Sequence, residues 1–380
     1  VNGVTLSGIT LATADLRTGE AFVAIRGVNR HGAEFAATAA EKGAVAIITD
    51  EDGADIAEPA GLPVLIVDDP RAVLGALSAW VYGTGAGEPL PLLFATTGTN
   101  GKTSVSHLLE GILGQLGVVT GLSSTAERHI AGEVIVSRLT TPEASEMHAL
   151  LALMRERDVE AVAVEVSAQA LSRHRVDGIR FDVAGFTNLS HDHLDDYADM
   201  EEYFEAKLAL FRPDRATRAV VCLDSPSGAT VAQRSEIPVV TVGTPSIAAD
   251  PEGAARADWV VVIDDERASG TTFTLTGPAG RLTTTVPVIG PHMAANAALA
   301  IVMLLEGGYE WDRIASALDR DGGILAHLPG RTQLVSGDTG PVVFVDFGHS
   351  PDAFEKTLAA VRRVTPVSYT HLTLPTILLV

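Results

Sequence analysis

LLFATTGTNGKTSVSHLLEGILGQLG, residues 92–117, reads as a buried strand, a glycine-bounded loop and an amphipathic helix. The loop GTNGKTS (98–104) can bring backbone N–H groups, the Lys102 ammonium and the Thr103 hydroxyl to one nucleotide polyphosphate. Behind it Val105, Leu108, Leu109, Ile112, Leu113 and Leu116 recur at i, i+3, i+4, i+7, the pattern of one buried helix face. A Gly/Thr-rich turn is the bland alternative, and the strand–loop–helix context counts against it. The strict G-x-x-x-x-G-K-[ST] pattern wants Gly where Thr96 stands. This is the shorter G-x-x-G-K-T form, which points away from common GTPases and motor ATPases.

Outward from the loop, short β-branched runs at 161–167, 182–188, 219–224 and 238–242 alternate with helical stretches. That rhythm predicts a doubly wound, mainly parallel α/β sheet with helices on both faces. Between 259 and 288 the pattern changes. TTFTLT and LTTTVPV flank GPAG, which predicts a β-hairpin set on the side of this unit. A helix is expected over 292–306, ending at Gly307-Gly308. Upstream, strands at 22–25, 44–49 and 63–67 and helices at 35–42 and 71–82 predict a small α/β domain over 1–88, closed by the turn-rich linker GTGAGEPLP. The central unit then covers 89–330. Downstream, 331–365 carries one expected strand (342–347) and a helix (353–364), the stub of a Rossmann-like third domain. The last residues, VSYTHLTLPTILLV, do not continue the α/β rhythm, so 366–380 is read as a non-native tail.

The 380 residues are 46% hydrophobic and 20% charged, a globular composition that suits two or three domains. No apolar run reaches a membrane span and no secretory leader opens the chain, so a cytoplasmic protein is expected. The first residue is Val1, and a short piece before it is expected to be missing. The single Cys222 excludes an internal disulfide and a Cys-based zinc ribbon. The net charge of −21 argues against nucleic-acid and anionic-membrane partners. An anionic substrate must then be captured locally. Only four of the 27 basic residues are Lys (Lys42, Lys102, Lys207 and Lys356), so each is worth examining.

Two further places carry chemistry. Glu165 stands in the apolar run AVAVEVS, where a carboxylate must lie at a strand end, be paired, or bind a metal. Hard oxygens from Thr103 and Glu165 would suit Mg²⁺ beside a triphosphate. FTNLSHDHLDDYADMEEYFEAKLALF (186–211) follows a strand and enters a helix with Lys207 among Phe204, Leu208 and Phe211. Asp192, Asp195 and Asp196 individually read as solvated loop residues. A partly buried Lys207 loses its proton more readily, which makes covalent modification of the amine plausible.

TTGTNGKTS, LTTPE, EVSAQAL, HRVDGIRFDVAGFTNLSHDHLDDYADMEEYFEAK, LPGR and VDFGHSPDA, in this order and spacing, resemble the Mur ligase family, in its tripeptide synthetase branch. The resemblance implies an ATP-dependent acid–amino-acid ligase of peptidoglycan precursor synthesis that forms a C–N bond. Its substrates would be UDP-MurNAc-L-Ala-D-Glu and a diamino acid, and the chain would be a monomer. ATP would be held by Gly98, Thr99, Asn100, Gly101, Lys102, Thr103 and Ser104, with Asn296, Arg331 and Asp346 at the adenosine. Mg²⁺ would lie at Thr103 and Glu165, and a second metal at His193 and Lys207, the latter as N6-carboxylysine. Lys102, Lys207 and His193 would be catalytic. Thr140, Thr141, Ser167 and Arg175 would hold the muramoyl-dipeptide; Leu11, Thr13, Val28, Asn29 and Arg30 would meet the uridine.

Departures from the family pattern stand at Ala12-Thr13-Ala14, where the family has D-S-R, at Ala168-Gln169 within the usual S-S-H-A-L, and at 347–351, where Y-A-H-T-P reads FGHSP. The diamino acid, meso-diaminopimelate or L-lysine, is left open, because the resemblance puts its selecting residues in the third domain. As it stands the chain is expected not to complete ligation. Two other readings remain: a folylpolyglutamate- or cyanophycin-type ligase, and a non-catalytic nucleotide-binding homologue.

Overall fold

The computed structural model describes residues 3–85, 87–136, 139–191, 196–336 and 340–365. The tail 366–380 and His193 lie outside them. The first unit is a four-stranded parallel sheet, β1 (Gly8–Thr10), β2 (Glu20–Ala24), β3 (Ala46–Thr49) and β4 (Val64–Ile66), in that spatial order. One face packs on Ala33, Ala36 and Ala39, the other on Leu74 of the helix Pro70–Tyr82. That helix also lies against the helix Ala144–Glu156 of the next unit. The approach is close: a Cβ at Gly75 would stand 2.4 Å from the Asp177 carbonyl oxygen.

The central sheet has eleven strands. In chain order they are β5 (Leu92–Thr97), β6 (Thr120–Ser123), β7 (Arg128–Ile130), β8 (Glu133–Ile135), β9 (Ala161–Glu165), β10 (Phe181–Phe186), β11 (Ala216–Cys222), β12 (Val239–Gly243), β13 (Trp259–Arg267), β14 (Gly270–Gly277) and β15 (Gly280–Val286). Across the sheet they run β15-β14-β13-β12-β11-β10-β5-β9-β6-β7-β8. Strands β13 through β6 are parallel, and each edge ends in antiparallel strands. The fold class is the doubly wound α/β arrangement that the strand–helix alternation implies.

Helices Lys102–Gln115 and Pro291–Glu306 cover one face, where Leu108, Leu109, Ile112 and Leu113 meet Leu299, Ile301 and Met303 in one core. Met147, Leu150, Leu151 and Leu171 cover the other. The apolar stripe 105–116 is thus the inner face of the helix behind the glycine loop.

Two details differ from the sequence-based expectation. The 270–286 hairpin is continuous with the central sheet rather than set beside it, because β13 pairs parallel with β12 on one side and antiparallel with β14 on the other. The strand expected over 342–347 shrinks to β17 (Phe344–Val345), paired with β16 (Gln333–Leu334), and leads to the helix Pro351–Val364. Val342, Val343 and Phe347 are exposed, so no sheet face is there to extend the pairing.

Candidate functional site

β5 lies between β9 and β10, so consecutive connections leave it toward opposite sides of the sheet. Such a switch point opens a crevice at the carboxyl ends of the strands, the usual ligand position in doubly wound sheets. The glycine loop fills it. Gly98 (φ +142°) and Gly101 (φ +91°) take backbone conformations that side chains rarely adopt, and neither has room for a Cβ. At Gly98 it would lie 1.9 Å from Thr187 Oγ1, and at Gly101 2.8 Å from Asn296 Oδ1. The loop is clamped to β10's exit by Thr187 Oγ1 donating to Asn100 O (2.6 Å) and Thr99 N donating to Asn188 O (2.8 Å).

Lys102, first residue of the following helix, folds back: its Nζ donates to Gly98 O (3.1 Å) and Thr99 O (2.9 Å) and lies 4.0 Å from Glu165 Oε1. Glu165 closes β9 and is buried. Its Oε2 accepts from Thr103 Oγ1 (3.0 Å), Thr125 N (2.9 Å) and Thr125 Oγ1 (3.0 Å). Three donors on one oxygen fix the direction of the carboxylate. Lys207, 1% exposed, donates from Nζ to Gly98 O (2.8 Å) with the ammonium 4.2 Å from the Tyr203 ring centroid. Arg331 Nη2 donates to Thr103 Oγ1 (2.8 Å), and its guanidinium lies 4.9 Å from the Phe347 ring. Burial pushes the Arg331 pKa down, against the pull of Glu165 and Asp346.

One cavity is lined by Thr99 to Thr103, Thr125, Thr140, Glu165, Ser167, Lys207 and Arg331. Among its described lining residues Glu165 is the single carboxylate facing Lys102, Lys207 and Arg331. In a chain of net charge −21, this is a local positive field shaped for a polyanion.

A neighbouring cavity, beyond the loop, is lined by Asn188, Asp224, His292, Asn296, Lys356 and Arg363. Asn100 joins the downstream helix to the loop by donating to Asp352 Oδ2 (2.9 Å).

The other expected residues are dispersed. Thr140 lines the first cavity, 3.0 Å from Thr125 Oγ1. Thr141 Oγ1 donates to Glu165 O (2.8 Å) and accepts from Ser167 N (3.2 Å), while Ser167 caps the short helix Ala168–Ser172. Arg175 is held by Glu143 (Nη2 to Oε1, 3.0 Å), which also takes Arg71 from the first unit (2.9 Å). Arg331, expected at the adenosine, donates to the Thr103 hydroxyl. Asp346 lines neither cavity; its carboxylate accepts Thr332 N and Gly348 N, both at 2.7 Å. Leu11, Thr13, Val28, Asn29 and Arg30 line neither cavity: Leu11 packs beside Ile9 in the first core, Thr13 O accepts Lys42 Nζ, and Val28 is fully exposed in a turn closed by Gly27 N to Arg30 O. His193 lies outside the described residues.

Sequence pattern does not by itself mark Thr125, Tyr203 or the Gln169–Asp196 pair. Gln169 Nε2 donates to Asp196 Oδ2, and Arg173 Nη2 to Asp196 Oδ1 (3.0 Å), so Asp196, exposed as expected, is also tied down. The Ser/Thr-rich run 123–125 at a strand exit was the available signal for Thr125.

Residues 96–304 match the Mur ligase middle domain, and residues 5–82 match the Mur ligase family, catalytic domain. The chain belongs to the Mur ligase family. It is 58% identical over 366 residues to a UDP-N-acetylmuramyl-tripeptide synthetase of Leifsonia xyli subsp. xyli, covering 96% of this chain and 70% of that one. It is 41% identical to a UDP-N-acetylmuramoyl-L-alanyl-D-glutamate–2,6-diaminopimelate ligase of Streptomyces avermitilis, covering 95% and 69%. A solved structure of a ligase of that second name superposes with TM-score 0.74 at 23% identity, over 94% of this chain and 70% of that one, a likeness of fold. Mur ligases are ATP-dependent, C–N bond-forming enzymes of peptidoglycan precursor synthesis. No helix among the described residues is long and apolar enough to cross a membrane.

The donor set of the Mur ligase cavity bears on Mg²⁺. No ready cluster of His, Cys, Asp and Glu occurs among the described residues. Thr103 Oγ1 and Glu165 Oε2, however, are hard oxygens 3.0 Å apart. A hydroxyl and a carboxylate are the hard oxygen donors that Mg²⁺ takes, so these residues would suit it.

Proposed function

We propose that this Mur ligase joins a diamino acid to the D-Glu side-chain carboxylate of UDP-MurNAc-L-Ala-D-Glu, with ATP activating the carboxylate as an acyl phosphate. The observation that carries the reading is the cavity in which Lys102 and Arg331 flank one buried carboxylate, Glu165, beside the glycine loop. The names of the two relatives support the substrate and the class of amine.

In this reading a carboxylate oxygen of D-Glu attacks the γ-phosphorus and ADP leaves. The incoming amine then attacks the acyl carbon, phosphate leaves, and the nitrogen gives up a proton. The first step brings two anions together, so Lys102 and Arg331 lower its barrier by offsetting charge where it accumulates. Thr103 and Glu165 would hold Mg²⁺, which neutralises phosphate charge. Thr125 fixes the direction of Glu165 through two hydrogen bonds. Lys207 is proposed as a carbamate, the anionic oxygen ligand that an Arg in its place could not become; His193 is assigned beside it. Thr140, Thr141, Ser167 and Arg175 are assigned to the muramoyl-dipeptide, and residues 11, 13 and 28–30 to the uridine end. The cavity beside Asn296 is assigned to the adenosine, with Arg331 moved to the phosphate end and Asp346 kept as a turn anchor. Units 1–88 and 89–330 correspond to the UDP-sugar and ATP halves of this assignment.

The test is thermal unfolding of the full chain with each ligand. A ligand at about a hundred times its Kd adds about 2.7 kcal/mol, which for a chain of this size raises Tm by about 3 °C. Mg²⁺–ATP and UDP-MurNAc-L-Ala-D-Glu are each expected to do so. No shift with the muramoyl-dipeptide at saturating concentration would remove the substrate assignment.

A further inference from the structure

Among the polar residues of the helix behind the glycine loop that the ligase reading does not use are His107 and Glu110. Both reach the turn that joins β6 to β7. His107 Nε2 lies 3.1 Å from Ser124 Oγ, and Ser124 Oγ already donates to Glu127 O (2.9 Å). Nε2 of His107 is therefore the donor. Burial lowers the His107 pKa, so this ring is neutral. His129, the middle residue of β7, lies between two carboxylates: Nδ1 is 2.8 Å from Glu110 Oε1, and Nε2 is 3.1 Å from Glu127 Oε2. Both ring nitrogens face acceptors, which only the imidazolium satisfies at once. The hydrogen bond with Glu110 raises the His129 pKa, burial opposes the rise, and Glu127 adds to it.

The groups facing the His129 ring are Glu110 and the edge of His107 (centroids 6.0 Å apart) from the helix, and Glu127 from the turn. On β8, Glu133 pairs opposite Ile130, on the other face, and meets Arg157 instead. Between the two anchored ends of the turn stands Thr125, whose N and Oγ1 supply two of the three hydrogen bonds to Glu165 Oε2.

We infer that His129 is a positioning residue: as a cation clamped by Glu110 and Glu127, it fastens the 124–127 turn to the glycine-loop helix and so keeps Thr125 on Glu165. This rests on the reading of Thr103 and Glu165 as the metal–nucleotide end of the site. The sign follows from proton count. Below its raised pKa, His129 donates to both carboxylates. As pH rises through that value one N–H is lost, one of the two carboxylates faces a lone pair, and the turn is released. Glu165 then loses its outer partners, a change that in metal sites typically weakens affinity about tenfold or more.

The test is calorimetric titration of the full chain with Mg²⁺–ATP, and with ATP in a chelator, from about pH 6 to about pH 9. Wild type is compared with H129R, which keeps a permanent charge in a two-pronged donor, and with H129Q. Dividing by the H129R affinity at each pH cancels the titration of the nucleotide itself. The expected result is a wild-type/H129R Kd ratio near one at low pH that rises about tenfold across the His129 midpoint read from its imidazole NMR signals. H129Q should bind weakly throughout, and metal-free ATP should show no step. E110Q, which removes the main cause of the raised pKa, should move the step to lower pH and carries the test if H129R fails to fold. A ratio independent of pH, or a step that ignores the His129 midpoint or E110Q, overturns the inference while leaving the nucleotide site intact. Absence of Mg²⁺–ATP binding at every pH overturns the nucleotide reading, and the positioning role with it.

Discussion

Arg331 Nη2 donates to Thr103 Oγ1 at 2.8 Å, and Thr103 Oγ1 donates onward to Glu165 Oε2 at 3.0 Å. A residue 228 positions downstream thus sets its charge on the hydroxyl that the glycine loop offers to a nucleotide. The guanidinium is half-buried, and its Nε has no partner among the described residues. Such a group is held at a desolvation cost, with donor capacity to spare.

R331A should therefore separate binding from stability. Without ligand, the free energy of unfolding is expected to change by only about 1 kcal/mol, because the cost of burying the guanidinium disappears along with its hydrogen bond. Affinity for Mg²⁺–ATP should fall about tenfold to a hundredfold, the worth of a charge-assisted phosphate contact. Urea unfolding and calorimetry read the two quantities. A stability loss with unchanged affinity would make Arg331 a structural strut only.

Lys207 offers a chemical test. Its Nζ is buried against Gly98 O and the Tyr203 face, and the proposed carbamate requires that amine to give up its proton and take up CO₂. In ¹³C-bicarbonate the wild-type chain is expected to show a carbamate signal that grows with bicarbonate concentration. K207R should lack it. Persistence of the signal in K207R would assign the carbamate to another amine and remove Lys207 from the proposed metal site.

The parts of this site that sequence could show are those that depend on local pattern. Residues 92–117 declare a strand, a loop and a helix because apolar spacing switches from continuous to 3.6-residue periodicity across two glycines. Glu165 stands out as a charge in an apolar strand. Thr125 does not: a threonine in a turn between short strands carries no mark of its partner 40 residues away. Strands β7 and β8, three residues each, are too short for alternation to register, and Val134 and Val136 are exposed. The placement of Arg331 on Thr103 is a tertiary fact, set by how the segment after residue 320 returns over the glycine loop. The hairpin at 270–286 was legible, but its continuity with the sheet depends on β13 pairing with both neighbours.

The loop glycines predict a steep response to a single methyl. G98A would place Cβ 1.9 Å from Thr187 Oγ1 at φ +142°, and G101A 2.8 Å from Asn296 Oδ1 at φ +91°. Strain and displacement of the clamp are expected to cost about 2–4 kcal/mol for G98A and about 1–3 kcal/mol for G101A. Both should abolish measurable nucleotide binding. Gly61 (φ +69°) has open space around its Cβ, so G61A, with strain but no clash, should cost about 1 kcal/mol and leave binding intact. Equal losses at positions 61 and 98 would mean that backbone strain alone, not the packed clamp, governs the loop.

Histidines set the acid limit of stability. His292, in the cavity beside Asn296, is pushed down to about 4 by burial and by the charge of Lys356. Burial also lowers His107 and His148, the latter held between Thr84 Oγ1 (2.6 Å) and Asp177 O (2.9 Å). In the unfolded chain each titrates near its ordinary value of about 6.5. A depressed folded pKa makes the contribution fully present above that value and progressively lost as pH falls toward the folded one. For His292 the loss spans about pH 6.5 to about pH 4 and amounts to about 2 kcal/mol, allowing for its partial exposure. His129 has the opposite sign, since its folded pKa is raised; its contribution is lost on the alkaline side and does not mask the acid one. Urea unfolding at pH 7 and at pH 4.5 measures the difference. H292Q, neutral at both, is expected to lose about 2 kcal/mol less than wild type between them, because the variant has no imidazole to protonate in the unfolded chain. Parallel pH dependence in H292Q and wild type would show that His292 reaches solvent freely in the folded protein and that the acid response belongs to the other two rings.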